Sequence, residues 1–367
     1  MVDRPVTTPD RDRPREATLL ASAKSGDRHA FQQLTEPHRR ELRVHCYRML
    51  GSFHDADDLV QETLLRAWRG LQGFDGRAST RYWLYRIATN ACLNALAARA
   101  SAGRVLPETQ SPPTEQMPDR EPSSDIAWLE PYPDSALDRV ADDAPGPEAQ
   151  HEVREAVQLA FIAAIQLLPP RQRATLLLND VLGWSAAESA RLLDSSVAAV
   201  NSALQRARAT LEERLAGGPP RAALAASDAQ RALLERYVRA WESTDVDGFT
   251  ALLKEDAVMS MPPWKQWYRG RAAITAFFAR TGRSGGHAPF RLVPTAANRQ
   301  PTFAFYSRWQ SPEWRFHSIQ LLTLHDDTIA AMTSFVMPAL ASVFDLPGVL
   351  LDDRDGPRAV PEGHGGA

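Results

Sequence analysis

Hydrophobic positions recur along the chain with two different periods, and the switch between them divides it. Val60, Leu64, Ala67 and Leu71 follow one another at helical spacing, as do Leu84, Ile87, Ala88 and Ala91, which predicts two successive amphipathic helices joined by the turn Gly73-Phe74-Asp75-Gly76-Arg77. Further on, Ser185-x-x-Glu188 is a capping box that starts a short helix running to Leu193. The pair Asp194-Ser195 then makes a tight turn. Ser196 is the expected N-cap of a longer helix, whose buried stripe is read as Val197, Val200, Leu204, Ala207 and Leu211. Two more helices are expected over 228–254, with Leu234, Tyr237 and Trp241 on one stripe and Phe249, Leu252 and Leu253 on the next.

Beyond that point the period changes. Strands are predicted at 257–261, 290–295, 302–306, 316–324 and 328–336, with a short helix around Ile274, Phe277 and Phe278 interposed. Helices followed by a run of strands form an α+β pattern, distinct from the all-helical first half.

Composition and charge sharpen these boundaries. The 367 residues suggest two or three domains, and 44% apolar with 24% charged residues excludes collagen, wholesale disorder and coiled coil. Two cysteines, Cys46 and Cys92, supply neither a disulfide framework nor a zinc set, and no apolar run is long enough to span a bilayer. With no apolar core near the N-terminus, the expectation is a cytoplasmic protein without membrane attachment, metal or cofactor. The net charge of −3 is uneven: residues 101–150 hold 3 Lys+Arg against 11 Asp+Glu, net −8, and nine prolines. Such a segment cannot bury enough apolar surface to fold alone and is read as a linker. Gly217-Gly218-Pro219-Pro220 marks a second break, and a Gly/Pro-rich acidic tail follows Asp352. The resulting division is 16–100, a linker at 101–150, 151–216, 228–345, and a flexible tail at 346–367.

The exposed faces carry the chemistry. On the first helix Asp57, Asp58, Gln61, Glu62 and Arg66 form an acidic, amide-bearing face that suits a protein partner better than DNA. On the second, Trp83, Arg86, Asn90 and Asn94, with Tyr82 and Tyr85 beside them, combine stacking surface, a cation and amides, as single-stranded bases require. In the helical pair after Ser185, Ala198, Asn201, Ser202, Gln205 and Arg208, with Arg206 adjacent, present small, amide and guanidinium groups and no acid. That face fits a major groove, although an ordinary solvated helix face would read alike in isolation.

In order, YRMLGSFHDADDLVQETLLRAWRGLQGF, RYWLYRIATNACLNAL and LPPRQRATLLLNDVLGWSAAESARLL resemble the extracytoplasmic-function sigma factors, two-domain bacterial transcription initiation factors. The resemblance covers about 16–100 and 151–215. It implies an all-α region two in which Asp55, Asp58, Gln61, Glu62 and Arg66 dock on core RNA polymerase, while Phe74, Arg77, Trp83, Arg86, Asn90 and Asn94 melt and read the −10 element. It implies an all-α helix-turn-helix region four whose helix from Ser196 reads the −35 element of promoter DNA through Ala198, Asn201, Ser202, Gln205, Arg206 and Arg208. The acidic linker would then run through the polymerase. Where that family typically has Thr, Lys and Arg in the recognition helix, this chain has Ala199, Asn201 and Ala203, so weakened −35 binding is expected. The family's helix-turn glycine is Asp194, tolerable because Asp enters the left-handed region more readily than most residues.

Within the linker, Trp128, Leu129, Glu130, Pro131, Tyr132, Pro133 and Asp134 form an aromatic island that is similar to the WLEPYPD-type segment of subgroups carrying an extra C-terminal domain. It is taken as a regulatory interaction segment. The last module, from LLERYVRAWESTDVDGFTALLKEDAVMSMPP through WYRGRAAITAFF, resembles SnoaL-like domains of the nuclear transport factor two-like superfamily, an α+β cone with one open apolar pocket. Trp264, Trp267, Tyr268, Phe303 and His317 are candidate pocket or interface contacts, and a small-molecule ligand is the partner such a pocket would add. Asp256 and His317 are the available groups for proton transfer, so a cyclase or isomerase on a DNA-binding arm stands as the alternative. A built-in regulator of a non-enzymatic initiation factor is the main reading.

Overall fold

The structure is a computed structural model, and it describes residues 13–98, 103–137, 158–215, 227–283, 290–309 and 311–351. The expected break at 217–220, the later part of the acidic linker and the tail from Asp352 lie outside these residues.

The first body is five helices: α1 (Arg13–Lys24), α2 (Arg28–Thr35), α3 (Arg39–Leu50), α4 (Phe53–Gly70) and α5 (Thr80–Ala98). Local chemistry sets their ends. Asp27 caps α2 by accepting from His29 N and Ala30 N, and Ser52 caps α4 through Asp55 N. Gly51 ends α3 at φ 70°, in the left-handed region where a side chain is strained. A Cβ there would also lie 2.7 Å from Leu129 Cδ1, so glycine lets another segment approach closely. Leu42, Tyr47, Met49, Val60, Leu84 and Leu96 form the core.

A second helical body contains α6 (Leu159–Gln166), α7 (Pro170–Leu176) continuing into a π-helical turn at Leu177–Val181, α8 (Ala186–Leu192) and α9 (Val197–Arg214). The capping box at Ser185 and Glu188 is formed in full, and Ser196 Oγ accepts from Ala199 N at 3.1 Å. Asp194 takes up the turn at φ 47°. Val197 departs from the expected stripe: it sits one residue past the cap and is 45% exposed, while Val200 and Ala207 are buried.

The third body begins with α10 (Asp228–Glu242) and α11 (Val246–Thr250). A mixed sheet then follows: β1 (Leu253–Ser260), β2 (Trp267–Arg269), β3 (Phe290–Ala297), β4 (Gln300–Ser307), β5 (Trp314–His325), β6 (Thr328–Phe335) and β7 (Val349–Leu350), with α12 (Arg271–Arg283) after β2 and the single turn α13 (Leu340–Val343) after β6. Strand order is β2-β1-β6-β5-β4-β3 with β7 added to β5; only β1 and β6 run parallel. Pairing of β7 with Trp314 and Arg315 places 349–350 in the sheet, so the body extends past the expected boundary at 345. The two-residue loop between β3 and β4, Asn298-Arg299, has positive φ at both positions (52° and 57°), as a type I′ hairpin requires.

One face of this sheet packs on α10, α11 and α12, with Tyr237, Ile274, Phe303 and Met332 in a core of their own. The other face contributes Ala304, Tyr306, Ile319 and Phe335 to the hydrophobic cluster that also contains the cores of both helical bodies. Sheet and helical bodies therefore share a continuous apolar interior.

Candidate promoter-reading faces and the segment that ties them together

Residues 103–137, read from composition as a linker that cannot fold alone, are packed against the other bodies. They lack a helix longer than one 3₁₀ turn, yet Val105, Leu106, Trp128, Leu129, Tyr132 and Leu137 are buried. The segment is too poor in apolar residues to fold alone, and the surfaces of the other bodies order it. Burying Leu129 stabilises this docking by about 1.5–3 kcal/mol, and the rings of Trp128 and Tyr132 add apolar area to it.

Its first anchor is on the helical body of α3 and α4. Arg104 Nη2 and Nε lie 2.8 and 3.1 Å from Asp55 Oδ2, and its Nη1 donates to Trp128 O at 2.8 Å and sits 3.3 Å from Glu130. Glu130 closes the N-terminus of α4, accepting from Phe53 N at 3.0 Å and Ser52 Oγ at 2.9 Å. The helix dipole favours a carboxylate there. Glu130 N donates in turn to Gly51 O at 2.9 Å.

The second anchor is the β3–β4 hairpin tip. Asn298 is fully buried; its Oδ1 accepts from Tyr132 N at 2.8 Å and its Nδ2 donates to Tyr47 OH at 3.0 Å. Tyr47 OH donates to Glu130 O at 2.9 Å. Asp134 Oδ1 accepts from Arg299 N, and Leu159 N donates to Gln300 Oε1, so the tip touches all three neighbours. Sequence reasoning missed Asn298. The signal was present in Ala-Asn-Arg-Gln between two strand-like runs, but it marks only a turn.

The third anchor runs along the β2 edge. Trp267 Nε1 donates to Ser111 O at 2.7 Å, Tyr268 OH to Gln116 O at 2.8 Å and Trp264 Nε1 to Asp119 O at 2.9 Å. Thr114 N adds a bond to Trp267 O. Trp267 and Tyr268 thus hold the segment and do not face the cavity. Glu108 is held by Ser260 Oγ at 2.6 Å, and burial raises its carboxyl pKa.

The two helical bodies also touch directly. Tyr82 stacks on Trp184 at 5.3 Å and donates to Glu188 O at 3.2 Å, Tyr85 meets Trp184 edge-on, and Arg86 lies 3.6 Å from Asp194. Arg173, fully buried, reaches Met49 O and Gln166, and Gln166 Nε2 donates to Arg48 O at 2.9 Å.

Against this geometry the predicted residues divide. Asp58, Gln61 and Arg66 are exposed and Glu62 is half-buried, with Arg66 Nε 2.7 Å from Glu62; Asp55 is instead occupied by Arg104. Arg77 and Asn94 are exposed and Asn90 is half-buried, whereas Phe74 is buried and stacked on Trp83 at 4.4 Å because the apolar turn closes over α5. Ala198, Asn201, Ser202, Gln205 and Arg206 are all exposed on α9. Arg208 is also exposed but is held by both oxygens of Asp180, at 2.7 and 2.9 Å.

Between the helical layer and the sheet of the third body lies a cavity of about 480 Å³. Trp264 and His317 line it, as expected; Phe303 does not, since its ring packs on Tyr237 in the core. Asp256 is exposed on β1 beside Lys254, outside the cavity, so it cannot act there. Burial lowers the pKa of His317, whose Nδ1 is 3.1 Å from Ser318 Oγ. No group of three or more metal-ligating side chains occurs among the described residues, and none of the helices searched is long and apolar enough to cross a membrane.

Comparison with known proteins returns three families in order: Sigma-70 region 2 over residues 34–102, Sigma-70 region 4 over 158–211 and a SnoaL-like domain over 234–332. The chain is 41% identical over 334 residues to the ECF RNA polymerase sigma factor SigG of Mycobacterium tuberculosis, covering 90% of this chain and 86% of that one. It is 34% identical over 200 residues to SigM of the same organism, covering 54% and 84%. Its fold is similar to the crystal structure of the M. tuberculosis extracytoplasmic function sigma factor SigJ, with TM-score 0.56 at 20% identity over 85% of this chain and 98% of that one.

Proposed function

This chain belongs to the extracytoplasmic-function RNA polymerase sigma factors, transcription initiation factors, and from that premise we propose that its SnoaL-like domain restrains promoter recognition through residues 103–137. Core RNA polymerase is bound by the acidic face of α4, through Asp58, Gln61, Glu62 and Arg66. The −10 element is read from α5, by Arg86, Asn90, Asn94 and Trp83, and the −35 element from α9.

The observation that carries the restraint is the contact between the two readers. The elements they read lie about 25 base pairs apart, roughly 85 Å of duplex at 3.4 Å per pair. Arg86 on α5 is 3.6 Å from Asp194 in the turn before the recognition helix, and Tyr82 stacks on Trp184. The two modules must separate before both elements can be read together. Arg104 supports the same reading, because it occupies Asp55 on the polymerase-facing helix. The cavity is a binding site in this account and not a catalytic one, since Asp256 lies outside it and, among the described residues, His317 pairs with Ser318 and with no carboxylate.

The test compares run-off transcription by core polymerase with the full chain and with full-chain Arg104→Ala. Higher core affinity and more transcript are expected from the variant. Equal affinity at equal thermal stability would overturn the restraint.

A further inference from the structure

The cavity wall is not made by the SnoaL-like domain alone. Met117, Pro118 and Asp119, which lie between the two sigma regions in sequence, close part of it. They belong to the same segment that ties Arg104 to Asp55 and Asn298 to Tyr132. An occupant would therefore touch the restraint itself.

The lining defines what fits. A volume of about 480 Å³ is in the range of pockets for drug-sized molecules. Trp241 stands edge-to-face against Phe278, Phe290 and Phe305, which makes an aromatic wall. From β5 and β6 the polar groups His317, Ser318, Gln320 and Ser334 line the cavity. There Gln320 is committed to Tyr237 and to Ser334 Oγ, the latter at 2.5 Å, and His317 uses Nδ1 toward Ser318. Among the described residues His317 Nε2 has no hydrogen-bond partner, so it can meet one polar atom of an occupant.

Charge narrows the class further. No Lys or Arg lines the cavity among the described residues, so a carboxylate or phosphate would meet no counter-ion. The two acids at the rim are engaged as well: Asp119 lies 3.7 Å from Lys265 Nζ, and Asp245 accepts from Gly248 N at 2.8 Å. A cation would have to compete with Lys265 for Asp119 or with the α11 N-terminus for Asp245. Met117 and Trp309 are large apolar side chains left exposed at the mouth, at 41% and 62%.

We propose that this cavity binds an uncharged, mostly apolar small molecule with a single hydrogen-bonding end, and that its occupancy strengthens the restraint imposed by residues 103–137. The direction follows from linkage: a ligand stabilises the state in which more of its contacts exist. Contacts to Met117, Pro118 and Asp119 exist only while the segment is docked. The ligand thus acts as a corepressor, and its loss frees the factor. The coupling rests on the restraint proposed above; the binding site does not.

The test uses a neutral apolar fluorophore, N-phenylnaphthylamine, on the full chain, with anilinonaphthalene sulfonate as its anionic counterpart. Saturable binding of one neutral probe per chain is expected, at least tenfold tighter than the sulfonate. Val336→Trp, which fills the cavity, and Met117→Asp, which lies outside the folded domain core, should each weaken it at least tenfold. Bound probe should slow amide exchange at Val105, Leu129 and Glu130 and lower core-polymerase affinity severalfold. Equal binding by both variants, or an equally bound sulfonate, overturns the site; faster exchange at Leu129 and Glu130 overturns the direction. Arg104→Ala separates the two levels. If it raises polymerase affinity while no probe binds, the ligand inference falls and the restraint stands. If it changes nothing while probe binds in the expected pattern, the restraint falls and the site stands.

Discussion

Replacing Asn298 tests the link between the SnoaL-like domain and region two at its narrowest point. Its side chain accepts from Tyr132 N at 2.8 Å and donates to Tyr47 OH at 3.0 Å, in a position that is fully buried. Asn298→Gly removes both bonds and leaves the Tyr132 amide unpaired, a cost of about 1–3 kcal/mol. Glycine accepts the φ of 52° without strain, so the hairpin survives and the loss falls on docking. Asn298→Ala loses the same bonds and adds about 1–2 kcal/mol for a side chain in the left-handed region. A docking loss of about 2 kcal/mol shifts the docked-to-released ratio roughly 30-fold, since 1.4 kcal/mol is a factor of ten. Amide exchange at Leu129 and Glu130 in the Gly variant should accelerate by that order, and core-polymerase affinity should rise toward the same limit. Thermal unfolding of the sheet should be nearly unchanged in Gly and lowered in Ala. Unchanged exchange at Leu129 and Glu130 in Asn298→Gly would refute the claim that this hairpin holds the segment.

Three further outcomes follow from the same geometry. Asp58→Arg with Glu62→Arg should abolish core-polymerase binding while leaving the circular dichroism and unfolding midpoint of the chain in place, because Asp58 is exposed and, among the described residues, Glu62 is held by the neighbouring Arg66. Asn201→Lys adds a cation on the exposed face of α9, so promoter affinity should rise and the salt slope steepen by about one unit in a titration against salt; an unchanged slope would remove position 201 from the DNA face. His45 is buried with Nε2 2.9 Å from Thr89 Oγ1, and burial, with the nearby Arg48 guanidinium, holds its pKa down to about 3. The unfolded chain takes up that proton below about pH 6.5 while the folded chain does not, so stability present above 6.5 should decline by up to about 1.4 kcal/mol per pH unit as pH falls toward 3. Denaturant titrations of His45→Gln should lack that component, and an identical pH slope in the variant would contradict the assignment.

Much of the molecule was legible in local sequence. The capping box at Ser185 and Glu188, the turn at Asp194 and the cap at Ser196 are formed as the sequence implies, because each depends on residues within one helical turn. Each of the five expected strands is observed within a few residues of its predicted ends, since alternation along one strand suffices to mark it. The exposed faces of α4 and α9 were visible for the same reason. The errors came where one residue answers to a distant surface. The resemblance places Asp55 among the polymerase-docking residues, and only the structure shows Arg104, 49 positions away, bound to it. Trp267 and Tyr268 read as pocket or interface contacts, and only the backbone of Ser111 and Gln116, which claims their polar atoms, decides for the interface.

Residues 103–137 show the division most clearly. Their composition, acidic and Pro-rich, truthfully reports that they cannot fold alone, and the aromatic island at 128–134 was recognisable as an interaction segment. What it interacts with depends on Gly51, Tyr47 and Asn298, brought together from two bodies. The sequence by itself determined the modules and the chemistry of their exposed faces, because helix period, strand alternation and capping act over a few residues. Only the tertiary structure decided how the modules restrain one another, because single long-range contacts repeat at no period and leave no pattern along the chain.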